Sequence, residues 1–471
     1  MHKIIFKIIT FTVFSLFLTF SAQSDAEALD IKVGLASGTT ALHLSSASQI
    51  TAVDKNGSRT SSSAFNLKAS GSVKIIAGNR SMSQPVKFFS KSPLVYNNRK
   101  YRGYFMVLNS KGRLTLVNVV ELEDYIRGVL KMEVNPDWPV ESLKAQAVIS
   151  RTYALKNRGK HGSEGFDLCD KSHCQVYRGI NAEDPVLDKA ITSTKGMIIK
   201  YGNSIASTFF HSDSGGATAD VSKVWSSRIP YLRGKKEPYN YESPYSNWRV
   251  SLSPAKIDRA MKKLGYNIGN VTGLNVHETD PFGRANKILV SGSRGQTIVK
   301  AHTFRMAVGA DHIKSTFFRI GTSMPEKRDI GQKTETISRT SLPAPMLSFV
   351  DTSSPKLSPK EEKLVTTLTQ QGYFTSREMI DMLLDPSARK RYLLKALDRP
   401  QPEKSSSVEN NYSRSGSSTT DSNGNFILTG SGWGHGVGLS QWGARNLALK
   451  GWNSKKILAH YFPGTRLEKI Y

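Results

Sequence analysis

The sequence is poor in cysteine and in negative charge, and each shortage excludes something. Only Cys169 and Cys174 occur in 471 residues. That rules out the disulfide-dense scaffold of small secreted domains. Asp and Glu number 38 against 65 Lys and Arg, a formal net charge of +27. Such an excess attracts polyanions. The basic residues are scattered, with no stripe of interleaved aromatics and no nucleic-acid-binding motif, so nucleic acid is not an expected partner. No run beyond residue 20 is apolar enough to span a bilayer, and no internal repeat is visible.

The one long apolar run, Ile8 to Phe20, follows His2, Lys3 and Lys7 and precedes the small-residue stretch Ser21-Ala22-Gln23-Ser24-Asp25-Ala26. It is shorter than the roughly 20 residues of a membrane span. The pattern reads as a secretory signal over residues 1–26, with an uncleaved anchor as the alternative. Either places the chain in the periplasm or cell envelope, where the polyanions within reach are wall polymers and lipid headgroups.

The length suggests about two to three domains. Residues 28–118 read as β-rich, because Ile31–Val33, Val73–Ile76, Phe105–Leu108 and Leu114–Val119 are short apolar runs between Ser, Gly and Asn turns. The period then changes. Leu122, Tyr125, Ile126, Val129 and Leu130 share one helical face, and Pro136 and Pro139 end that helix. A second helix is expected from Pro139, with Glu141 in its first turn. Residues 324–423 shift to Ser, Thr, Pro and Lys, as linkers do, around a small helical insert at 357–397. There Ser358 can cap, and Leu364, Leu368, Met379, Met382, Leu383, Leu393 and Leu394 supply apolar faces. Residues 119–323 and 424–471 read as folded. The expected class is α+β, with curved antiparallel sheets and a helical segment.

Four stretches carry groups capable of chemistry. Glu133 lies eleven residues beyond Leu122, and at about 100° per residue it returns to the apolar face. It also closes the helix at the negative end of the dipole. Both circumstances disfavour a carboxylate, as a general acid that stays protonated near neutral pH requires. The competing reading is a glutamate reaching solvent from a fraying helix end. Glu123, Asp124 and Glu141 fit helix-surface and first-turn roles. In the second stretch, Cys169, His173 and Cys174 with His161 upstream make a soft donor set suited to a structural zinc. A Cys169–Cys174 disulfide and free thiols are the alternatives, and His161 is the least secure ligand. The third, His211-Ser-Asp-Ser-Gly-Gly216, is no catalytic triad, since neighbours on a strand point to opposite faces. It reads as a turn lining a polar groove. The fourth, Gly430 to Gly443, is glycine-rich around Trp433, His435 and Trp442. It reads either as a close backbone approach with sugar-stacking indoles or as a tight turn packed under aromatics.

Taken in order, these stretches resemble the stage II sporulation D / amidase-enhancer family. The likeness rests on Val120-Glu-Leu-Glu-Asp-Tyr-Ile-Arg-Gly-Val129, Met132-Glu133, Trp138-Pro-Val-Glu-Ser-Leu-Lys-Ala-Gln-Ala147 and Ser150-Arg-Thr-Tyr-Ala154. It continues through Cys174-Gln-Val-Tyr-Arg-Gly179, His211 to Gly216, Gly432-Trp-Gly-His-Gly436, Ser440-Gln-Trp-Gly443 and His460-Tyr-Phe-Pro-Gly464. The resemblance implies a lytic transglycosylase domain over 119–323, completed by 424–471. Such an enzyme cleaves the MurNAc–GlcNAc bond of peptidoglycan glycan without water and leaves a 1,6-anhydro-MurNAc end, with Glu133 as the acid/base carboxyl. It further implies zinc on Cys169, His173, Cys174 and His161, and glycan contacts from Arg151, Gln175, Tyr177, Ser212, Ser214 and His435. The other role it implies is that of a non-catalytic, wall-binding activator of an N-acetylmuramoyl-L-alanine amidase. The 324–423 segment departs from the shorter pattern, as a partner-docking insert or a neutral surface insertion.

Overall fold

The computed structural model describes residues 29–321 except 226, 238, 240 and 241, short pieces between 357 and 368, residues 388–397, and residues 420–471. The signal-like segment 1–26 and most of 324–423, including Met379, Met382 and Leu383, lie outside the described residues. The chain forms two compact units, residues 1–330 with 417–471, and residues 331–416.

The first unit begins with a large curved sheet. Its strands are β1 (Asp30–Thr39), β2 (Ala41–Val53), β3 (Arg59–Ser70), β4 (Lys74–Ala77), β5 (Arg80–Ser83), β6 (Val86–Ser90), β7 (Leu94–Tyr96), β8 (Arg99–Tyr101), β9 (Tyr104–Ser110), β10 (Arg113–Glu121) and β11 (Leu168–Cys169). The order is β11-β1-β10-β9-β6-β2-β3-β4-β5, with β7 and β8 paired beside β2. Neighbours are antiparallel except the short β1–β11 pair, which is parallel. Every residue of β10 from Leu114 to Val120 is buried, because both faces of that strand are covered. Leu114, Leu116 and Val120 enter the main core, while Val117 and Val119 meet Met106 and Phe166 on the other face. The expected strands fall within β1, β9 and β10 or overlap β4. The long β2 and β3 were not anticipated, since their many serines hide an apolar alternation that only partly repeats.

Helix α1 (Leu122–Glu133) follows β10 without a loop, and α2 (Val140–Lys156) comes next. On α1 the apolar set Leu122, Tyr125, Ile126, Val129 and Leu130 faces inward, as its spacing predicts. The helix stops where Val134 turns extended, two residues before Pro136. Helix α2 begins at Val140, with Pro139 just outside it. Sheet and helices share one core, in which Leu44, Phe88 and Phe105 join Tyr125, Val129, Leu143 and Ala147. The fold is therefore α+β, with β10 running straight across residue 119 into the helices.

Glu123 is not the surface residue that its first-turn position suggests. It is 4% exposed and forms a bidentate pair with the fully buried Arg151 of α2, at 2.9 and 2.7 Å. The Gly196 amide and the Tyr471 hydroxyl also donate to Glu123.

The C-terminal segment returns to this unit as a central strand. Phe426–Gly430 lies between Trp248–Leu252 and Phe318–Ile320, antiparallel to both. Residues 322–419 thus extend a connection between adjacent strands, and loop closure grows only slowly with such length. Among the described residues no helix is long and apolar enough to cross a membrane. In the second unit Ser358 and Glu361 form a reciprocal capping box, and Lys390 pairs with Glu361 at 2.5 Å. Helix Ala388–Leu397 buries Leu393 there, and Leu368 is also buried.

Arg151→Ala leaves the Glu123 carboxylate buried against an empty site. It is expected to cost about 3–5 kcal/mol of unfolding free energy, measured by denaturant titration of the full chain.

Candidate functional site

Glu133 is the last residue of α1 and remains half-buried, so its carboxyl keeps some access to solvent. Protein crowds around it. Burial pushes its pKa from the ordinary 4.5 up to about 7, against a hydrogen bond from the Val176 backbone amide that favours the charged form. Near neutral pH this group is therefore poised between acid and base.

The segment that supplies the Val176 amide is held on both sides. The Tyr125 hydroxyl donates to Gln175 Oε1 at 3.2 Å, and the Tyr177 hydroxyl donates to Asn118 Oδ1 at 2.7 Å. The Tyr125 and Tyr177 rings stack at 5.3 Å. Gln175 and Tyr177 are each 1% exposed. Sequence reasoning took them for glycan contacts, but they are enclosed and anchor the backbone beside Glu133.

One residue before Gln175 the metal-type cluster begins. Ligand atoms of His161, Cys169, His173 and Cys174 all lie within 4.8 Å of one another. Cys174 Sγ is 3.4 Å from His161 Nε2 and 3.6 Å from His173 Nδ1, and Cys169 Sγ is 3.7 Å from His173 Nδ1. A tetrahedral ion with bonds of about 2.3 Å to sulfur and about 2.0–2.1 Å to nitrogen sets its S and N ligands about 3.6 Å apart. The donor set therefore fits a metal ion in chemistry and in spacing. His161, the least secure ligand by sequence, turns its other nitrogen, Nδ1, to the Glu164 carboxylate at 2.6 Å, as metal-bound histidines commonly do. The two cysteines are free rather than joined, so the disulfide alternative does not describe this structure.

The two glycine-rich motifs meet elsewhere in the unit. Phe210–His211 pairs in parallel with Leu439–Ser440, and Asp213 exchanges backbone hydrogen bonds with Trp433 at 3.0 and 2.8 Å. Gly432 must be glycine there, because its φ is +83° and a Cβ would strike the Asp213 carbonyl. The buried Arg284 guanidinium bonds the carbonyls of Ser214 and Ala217. Ser214 is fully buried and Ser212 half-buried. The His435 and His211 rings are 5.6 Å apart, and Trp225 lies 4.9 Å from His435. Burial, with His302, Arg305 and Arg284 nearby, holds His435 down to about 3, so it is neutral at physiological pH. Arg151, like Ser214, is enclosed and therefore structural rather than a ligand contact. Ser212 and His435 keep partial exposure. An aromatic contact links this region to the segment between α1 and α2. Trp442 meets Trp138 edge-on at 5.2 Å, and Trp138 belongs to the loop that follows Glu133.

Glu237, which sequence reasoning passed over, is a second acid. It is fully buried, and burial pushes it up to about 7 although Tyr461 and Ser214 hydrogen-bond it. Gly443 is required beside it, since a Cβ there would overlap the Glu237 carboxyl and the Tyr461 hydroxyl. No motif marked Glu237, because its burial comes from segments far apart in sequence. Exposure separates these two carboxyls, since Glu133 keeps partial access to solvent and Glu237 has none.

Fold and site thus define an α+β protein with a half-buried acid beside a Cys/His cluster. Residues 110–201 match the family model described as stage II sporulation protein. The chain is 26% identical over 342 residues to the amidase enhancer of Bacillus subtilis, covering 73% of this chain and 40% of that protein. It is 29% identical over 178 residues to stage II sporulation protein D of the same organism, covering 33% of this chain and 51% of the relative. An uncharacterized protein of Brachyspira hyodysenteriae is 26% identical over 236 residues, 50% of this chain and 63% of its own length. Each relative is thus matched over less than two thirds of its length. The family-model match and these relatives support the stage II sporulation protein D / amidase-enhancer family for this chain.

The full chain purified with zinc is expected to bind one ion, and Cys174→Ser to lose it, by elemental analysis and by the thiolate absorption of the cobalt-substituted form. Glu237 is raised on folding, so its protonated form stabilises the fold fully below about 4.5, and that stability fades as pH rises through about 7. Glu237→Gln should flatten the fall in melting temperature between about pH 4.5 and about pH 7.5.

Proposed function

We propose that this chain is a cell-envelope protein that acts on peptidoglycan and cleaves its glycan strands as a lytic transglycosylase, with Glu133 as the only acid/base carboxyl. The observation that carries this reading is an accessible carboxyl raised to about 7. Protonated Glu133 gives its proton to the oxygen linking MurNAc to GlcNAc. The bond from that oxygen to the MurNAc C1 breaks and leaves an oxocarbenium-like centre. The Glu133 carboxylate then takes the proton of the same sugar's 6-hydroxyl as that oxygen attacks C1. The products are a GlcNAc hydroxyl and a 1,6-anhydro ring, and the acid is restored. No water is consumed, so no second carboxylate is needed to activate one. Val176 holds the carboxylate form through its amide, and Tyr125, Asn118, Gln175 and Tyr177 fix that amide in place. A zinc ion held by His161, Cys169, His173 and Cys174 would supply a structural cross-link next to this segment.

A second reading follows from the relative named as an amidase enhancer, whose likeness spans 73% of this chain. In it the chain binds the wall and stimulates an N-acetylmuramoyl-L-alanine amidase without cutting glycan. Digestion of purified sacculi followed by mass analysis separates the two. Anhydro-MurNAc products that vanish with Glu133→Gln are expected. Cut peptide stems that appear only with added amidase, and persist in Glu133→Gln, would favour the enhancer role and overturn the first reading.

Because Glu133 must start protonated, kcat/KM is expected to fall as pH rises through about 7, and this limb should be set by Glu133.

A further inference from the structure

A recess of about 290 Å³, whose lining does not include Glu133, is formed by Asp220, Ser222, Arg228, Ile229, Pro230 and Arg233. Its frame is rigid. The Val221 amide donates to Leu232 O at 3.0 Å, the Leu232 amide to Ile229 O at 3.0 Å, and the Trp225 amide to Val221 O at 2.8 Å. Val221, Val224, Tyr231 and Leu232 anchor the loop in a core beneath it. These bonds fix residues on both sides of the recess, which lowers the ordering cost of accepting a ligand.

Its charge is unbalanced. Arg228 and Arg233 are exposed, and among the described residues neither has an acidic partner. Asp220 is the one acid in the lining. Its Oδ1 is already engaged by the Ser222 amide at 2.8 Å and the Ser222 hydroxyl at 2.7 Å, where it caps the turn Val221–Val224. Two arginines thus line one recess with a single carboxylate, one oxygen of which is already engaged. Guanidinium forks bind planar or tetrahedral oxyanions bidentately, a geometry that ammonium groups do not offer. The volume lies at the small end for ligand pockets and suits one charged group with a short attachment rather than a whole oligosaccharide.

We propose that Arg228 and Arg233 form an oxyanion-binding site that takes a phosphate or carboxylate group of an anionic wall polymer and tethers the chain to its substrate. The site rests on the wall-acting reading only for the source of the anion. Binding of the anion itself is independent of Glu133. Ile229 and Pro230 supply an apolar shelf for the carbon attached to the charged group.

The test uses the full chain at low ionic strength, where charge-dependent binding is least screened. Inorganic phosphate and acetate are titrated by calorimetry and by thermal shift. Saturable binding of either ion is expected in wild type and in Glu133→Gln. Affinity should weaken about tenfold or more in Arg228→Gln/Arg233→Gln. An unchanged melting temperature without anion shows that this variant is folded, and Arg228→Lys/Arg233→Lys should recover only part of the affinity. Glycerol-phosphate oligomers and muropeptides with free carboxylates then compete with the small ion, and the stronger competitor identifies the source. The site is refuted if neither ion saturates or if the glutamine variant binds as wild type does. Competition by neither polymer refutes its role as a wall tether. At saturating glycan, release of 1,6-anhydro-MurNAc ends by the same variant stays at the wild-type level, so failure here is distinct from failure of the Glu133 mechanism.

Discussion

The Glu123 carboxylate accepts hydrogen bonds from Arg151 Nε and Nη2, from the Gly196 amide and from the Tyr471 hydroxyl, and the Glu123–Arg151 pair is out of solvent. Burial alone would raise its pKa. The Arg151 guanidinium and the other donors outweigh burial and keep the group below the ordinary carboxylate range. Its near ends are α1 and α2, and its far ends are the turn at Gly196 and the last residue of the chain. The orientation of α1 therefore depends on segments from across the sequence. Glu133 sits at the other end of that same helix, so the node at its start sets where the acid at its end points.

A second chain of contacts reaches Glu133 from the opposite side. Cys174 belongs to the donor cluster, and two residues later the Val176 amide meets the Glu133 carboxyl. Gln175 and Tyr177 bury their side chains on either side of that amide. The amide bonded to Glu133 thus lies two residues along the chain from Cys174, one of the four thiol and imidazole donors. A cross-linked cluster would restrain this donor, and its spacing limits how far the Glu133 pKa can rise. The same unit raises Glu237 by burial but closes it off, so a perturbed pKa alone does not mark a reactive acid.

The polar network around Arg284 explains the glycine-rich motifs. With the guanidinium on the Ser214 and Ala217 carbonyls, two backbone segments approach too closely for side chains, and Asp213 and Trp433 pair directly. These motifs build a wall of the unit and present His435, Ser212 and Trp442 at its edge. They do not assemble a serine–histidine–aspartate triad.

Local pattern carried a good deal. The spacing of Leu122, Tyr125, Ile126, Val129 and Leu130 determines α1, and Pro136 its end. The azimuth of Glu133 relative to Leu122 puts the acid on a face that packs. The thiol and imidazole types at 161, 169, 173 and 174 determine which ions could be held. These properties follow from backbone period and donor chemistry, which do not need the rest of the chain. Other features had no such signal. Arg151 and Glu123 sit on different helices, and nothing in either stretch says that one buries the other's charge. Gln175, Tyr177 and Ser214 are polar and lie in family motifs, yet their roles depended on which segments close over them. Glu237 looks like any glutamate beside lysines. Burial, partner and pKa are properties of long-range packing, so only the tertiary structure decided which of these polar residues face a ligand and which hold the frame.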